Sequence, residues 1–111
     1  NCIWQGYANA VALQCFALAT SPPAILNVTG LERISIRDLA ARMGELLGKK
    51  PNLTGSEAPT ALLSNATKCR ELFGEPDVSI DVLCMWIAHW IKSGGKTLSK
   101  PTHFETRDGK F

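Results

Sequence analysis

A chain of 111 residues holds one domain at most, with room for a single core. At 45% hydrophobic and 20% charged residues it is neither a disordered nor a fibrous chain. The net charge of +2, with no dense Lys/Arg stripe, argues against nucleic acid as a partner.

Cys2-Ile3-Trp4 reads as a short strand, and Gln5-Gly6 turns into a helix from about Tyr7 or Ala8 to Ala19. That helix is apolar nearly all round, with only Asn9 and Gln14 against it, so part of its surface is expected to meet another domain or subunit. The apolar run Ala10 to Ala19 is too short to span a bilayer, and no basic region precedes it as a signal peptide requires. The chain begins at Asn1 without methionine, which admits a processed or excised fragment.

Ser21-Pro22-Pro23 ends the helix and redirects the chain. The β-branched apolar run Ala24 to Val28 reads as a strand stopped by Thr29-Gly30. Ser35 with Asp38 three residues on is an N-cap signal, and Ile36, Leu39, Ala40, Met43, Leu46 and Leu47 then line one helical face. Gly48 stands at the C-cap position, and Pro51 to Thr54 offers a second strand. Strand, capped helix and strand make a βαβ unit. The expected fold class is therefore α/β: a small, helix-rich domain with short parallel strands around that unit and four helices.

Gly55 to Thr60 is a loop by composition. Ser64 reads as the cap of a helix running to Phe73 and closed by Gly74. Ser79 caps the last helix, with Ile80, Leu83, Cys84, Ile87, Trp90 and Ile91 along one face, widened by Met85, Trp86 and Ala88. Gly94-Gly95 stops it, and Lys96 to Phe111 reads as an extended tail.

Few residues carry chemistry. Cys2, Cys15, Cys69 and Cys84 are far apart with no Cys-x-x-Cys; the last three sit among apolar helical neighbours and read as buried free thiols rather than zinc ligands. The Asn-x-Thr sequons at Asn27, Asn52 and Asn65 read as chance matches, since a glycan there would obstruct packing. The two histidines, His89 on a helix and His103 in the tail, have no partnered nucleophile in the sequence, and Glu57 and Asp77 are loop carboxylates. No Gly-rich loop opens a helix to cradle phosphate. Trp86 and Trp90, four apart on a helix, read as core.

The order of elements resembles the C-terminal part of an extended short-chain dehydrogenase/reductase, the NAD-dependent epimerase/dehydratase family. Four segments carry it: Gln5-Gly6-Tyr7-Ala8-Asn9-Ala10; Ile25-Leu26-Asn27-Val28-Thr29-Gly30; Ser35-Ile36-Arg37-Asp38-Leu39 with Leu47-Gly48-Lys49; and Asn65-Ala66-Thr67-Lys68 with Glu71-Leu72-Phe73-Gly74 and Pro76. The resemblance implies that residues 1–95 form the substrate-binding portion of such an enzyme, followed by the tail 96–111. It implies a sugar-like substrate, NAD or NADP in the parent enzyme but no cofactor in this chain, a missing N-terminal Rossmann domain as partner, and a cytoplasmic setting.

The chain departs from the family where catalysis would be. The Tyr-x-x-x-Lys pair is absent, because the sole tyrosine, Tyr7, has Val11 four residues on. No catalytic or metal-binding residue is therefore assigned. The 55–60 loop, where relatives place an arginine against a substrate diphosphate, has none. Gln5, Glu57 and Thr60 are the candidate substrate contacts, as polar residues in loops bordering the expected strands. The alternative is a small α/β protein-interaction module with no enzymatic role. Either way, self-association through the apolar helices is expected, with no membrane involved.

Overall fold

The computed structural model describes residues 1–101. Helix α1 spans Gln5–Gln14 and runs on into a 3-10 turn, Cys15–Leu18. Helices α2, Ile36–Leu47, α3, Thr67–Phe73, and α4, Ile80–Lys92, follow. Lys96 to Pro101 has no regular structure, and the rest of the expected tail, His103 included, lies outside the described residues.

No strand forms among the described residues, so the expected α/β class with its βαβ unit is corrected to an all-helical one. Segments 2–4, 24–28 and 51–54 carry strand-like sequence but no ladder. A strand is stabilised by backbone pairing with a neighbour, and the composition of one segment cannot supply that neighbour. The two-residue alternation of segment 24–28 nevertheless survives. Leu26 and Val28 are half-buried against the core, whereas Asn27 between them is exposed and Ile25 before them is 87% exposed.

Helix termini follow local signals. The Ser35 and Ser79 side chains accept from the N–H groups of Asp38 and Val82, each at 3.3 Å, satisfying donors that the first turn leaves unpaired. Gly48 closes α2 in the left-handed region at φ 67°, and the N–H of Lys49 donates to the Gly44 carbonyl at 2.9 Å. Ser64 is not the cap of α3. The N-cap position falls at Ala66, which has no side chain to cap with. Asn65 just before it serves the first turn instead, its Oδ1 accepting from the Thr67 N–H at 3.0 Å in an Asx turn.

The interior is small. Val11 of α1 packs with Ala66 and Cys69 at α3, and Tyr7, Cys15, Leu26, Val28, Leu31 and Phe73 are packed against them. Separately, α2 lies against α4, whose Cys84 and Ala88 are buried. Trp4 bridges towards α4 through an edge-on contact with Trp86, ring centroids 5.6 Å apart. The N-terminal segment returns beside Gly30, which is buried, and a Cβ there would overlap the Cys2 carbonyl.

The apolar circumference of α1 is mostly unburied. Val11 alone is enclosed, while Leu13 is 70% and Phe16 in the following turn 80% exposed. Trp86 and Trp90 are likewise half-exposed rather than core residues. Charge is distributed unevenly along the chain: no Asp, Glu, Lys, Arg or His precedes Glu32.

Candidate functional site

The 55–60 loop lies wholly on the surface. Its Glu57 is held by Arg37, which stands two residues beyond the Ser35 cap and so projects from the fixed first turn of α2. Arg37 Nε and Nη2 donate to the same carboxylate oxygen, Oε1, at 3.0 and 2.6 Å. Both side chains are largely exposed, so the pair orients the loop more than it stabilises the fold. The loop itself has no arginine, yet the structure brings one to it across twenty residues of chain.

Thr60 follows on the same exposed loop, and Gln5 opens α1. The structure does not gather these candidates into one hollow. An open cleft of about 500 Å³ lies instead between segment 32–35, α2 and the start of α4. Its polar lining includes Glu32, Arg33, Asp38, Arg42, Glu45 and Asp81. Arg42 is paired with Asp81, tying α2 to α4, and that carboxylate holds the guanidinium even more firmly protonated. A second hollow of about 290 Å³ lies beside Asn1, Arg33 and residues 63–67. Neither is lined by Gln5, Glu57 or Thr60.

Tyr7 is spent on structure. Its hydroxyl donates to the Gly74 carbonyl at 2.7 Å. Partial burial, first, and the neighbouring Cys69, Glu75 and Asp77 raise its pKa, so the phenol stays protonated at neutral pH. All four cysteines are unpaired: Cys69 and Cys84 are buried and Cys15 half-buried, but Cys2 is exposed. Among the described residues no three His, Cys, Asp or Glu side chains are grouped to hold a metal, and no helix is long and apolar enough to cross a membrane. Of the sequon asparagines, Asn27 donates to the Asn65 carbonyl at 3.2 Å and Asn65 accepts from the Thr67 N–H at the start of α3, so both side chains have structural duties.

Sequence pattern singled out Glu57 but neither Arg37 nor the cleft. The signal for Arg37 was its place on the first turn of a capped helix, where a long cation can reach a neighbouring loop. Nothing in the spacing of Arg42 and Asp81 announces their contact, which exists only once α2 and α4 pack. Comparison with protein families, with curated proteins and with solved structures finds no match to this chain.

Proposed function

We propose that this chain is the substrate-binding portion of an NAD-dependent epimerase, dehydratase or reductase acting on a sugar-like substrate, and that it is inactive by itself. One observation supports the reading above others. Three of the four segments that resemble the family fall at the chain's own helix boundaries, among them the Ser35 cap, the left-handed Gly48, the Asn65 turn and Gly74, while Ile25 to Gly30 lies in irregular chain. These are positions where backbone geometry restricts residue choice, so a shared pattern there reflects shared element lengths.

In the parent enzyme the nicotinamide would exchange a hydride with the substrate, and this portion would orient it. Arg37 occupies Oε1 of Glu57, which leaves Oε2 to accept a substrate hydroxyl. Thr60 and Gln5 supply a hydroxyl and an amide of the kind that read sugar hydroxyls. Supplying Arg37 from α2 instead of the loop also keeps a cation beside Glu57.

The test is the coding sequence upstream of Asn1. A Gly-x-x-Gly-x-x-Gly turn followed by a Tyr-x-x-x-Lys pair in the same frame is the expected result. A frame that closes at Asn1, or continues without either motif, would overturn the reading. The half-exposed Trp86 and Trp90 would then favour a protein-interaction module instead.

A further inference from the structure

Helix α4 buries Cys84 and Ala88 on its inner side. At 3.6 residues per turn, Leu83, Trp86, Ile87, Trp90 and Ile91 fall together on a neighbouring arc. Trp86, Ile87, Trp90 and Ile91 are each about half-exposed, between 43% and 57%, and no charged side chain interrupts the arc. Both indoles are fixed in place. Trp86 meets the Trp4 ring at 73°, and Trp90 Nε1 donates to the Lys96 carbonyl at 3.0 Å. A large aromatic held in one orientation loses little conformational freedom when a partner covers it, which is why fixed tryptophans anchor interfaces.

We infer that this arc docks against the same arc of a second copy of the chain. Three observations select that occupant. The surface is a convex pair of ridges, Leu83-Ile87-Ile91 and Trp86-Trp90, so a partner must bring ridges and grooves of matching pitch. An identical helix does so when four-spaced ridges interdigitate at about 50°. A two-fold contact places each patch on itself, and an uncharged arc meets its copy without like-charge repulsion. Finally, four half-exposed large side chains and the partly buried Leu83 offer at most roughly 500 Å² per copy, about 1,000 Å² in total, which is the lower bound of a specific interface. The contact centres on Ile87 meeting Ile87, with Leu83 of each copy against Ile91 of the other. Its modest area makes it a weak dimer that forms at high micromolar concentration. It depends on α4 alone and stands or falls independently of the enzyme reading.

Sedimentation equilibrium of the unmodified chain from 10 μM to 1 mM (roughly the span a weak interface requires) should show a monomer–dimer equilibrium. Tryptophan emission should shift to the blue over the same span. Ile87→Asp should weaken association by at least about tenfold while preserving the helical circular dichroism. Leu13→Asp, on the exposed face of α1, should leave association unchanged. If Ile87→Asp unfolds the chain, the concentration dependence of emission in the unmodified protein decides. A monomer at 1 mM with constant emission, or association abolished by Leu13→Asp and retained in Ile87→Asp, would overturn the inference.

Discussion

The Tyr7 hydroxyl donates to the carbonyl of Gly74 at 2.7 Å, joining the first turn of α1 to the residue that ends α3. The two helices share the Val11–Ala66–Cys69 cluster, and this bond fixes how they lie across it. It requires the phenolic proton, because a phenolate would face a carbonyl oxygen.

Tyr7→Phe should therefore cost about 0.5–1.5 kcal/mol at neutral pH, the net worth of one such bond. The pH dependence has a definite sign. The folded pKa is raised, so the Tyr7 contribution is fully present below the ordinary value of about 10 and is lost as pH climbs through the raised one. Urea unfolding of both proteins at pH 8 and pH 11 should show the gap between them closing at the higher pH. A gap of constant size would refute the assignment.

The caps give a sharper comparison. Ser35→Ala and Ser79→Ala should each lower stability by about 1 kcal/mol, as loss of a helix cap does. At α3 the loss should follow Asn65→Ala and spare Ser64→Ala, because Asn65 holds the Thr67 N–H. Equal effects at 64 and 65 would show that the Asn65 turn does not hold the start of α3.

Those caps were legible because a cap and its N–H lie within three residues of each other. The α3 start was misplaced by two residues because Ser64 is a good cap by composition, whereas the observed N-cap, Ala66, carries no capping group and relies on the Asn65 turn before it. The strands failed for a different reason. Segment 24–28 has the right alternation, and Leu26 and Val28 do face the core, but a ladder needs a second backbone whose position no local pattern encodes. The candidate site divides in the same way: Glu57 announced itself as a loop carboxylate, while its partner Arg37 required the fold.

Arg37→Ala should change stability by less than about 1 kcal/mol, since the pair is solvent-exposed. Its effect should appear as loosening of the 55–60 loop. Limited proteolysis is expected to cut within that loop faster in the variant, with thermal unfolding nearly unchanged. Identical cleavage rates would mean that Arg37 does not order the loop.

Gly30→Ala should destabilise by about 1–3 kcal/mol, the usual cost of forcing a methyl into occupied space. The obstacle is the Cys2 carbonyl, a backbone atom that cannot turn aside as a flexible side chain would. Alkylation kinetics followed by mass spectrometry can report it. In the unmodified chain Cys2 should react first, Cys15 more slowly, and Cys69 and Cys84 only on unfolding. In the variant Cys69 should be labelled sooner; an unchanged order and rate would show that the N-terminal segment gives way without cost.

The absence of charge before Glu32 makes the two parts of this chain answer differently to their solvent. The α1 cluster draws its cohesion from apolar contact, which an excluded salt such as sulfate reinforces. The pairs Arg37–Glu57, Arg42–Asp81 and Arg70–Glu75 all lie beyond residue 32, and mobile ions shield them. Brine would thus tighten the amino-terminal packing while slackening the ties at the loop and between α2 and α4. Ionic strength becomes a dial that turns the α1–α3 apolar cluster and the exposed ion pairs in opposite directions.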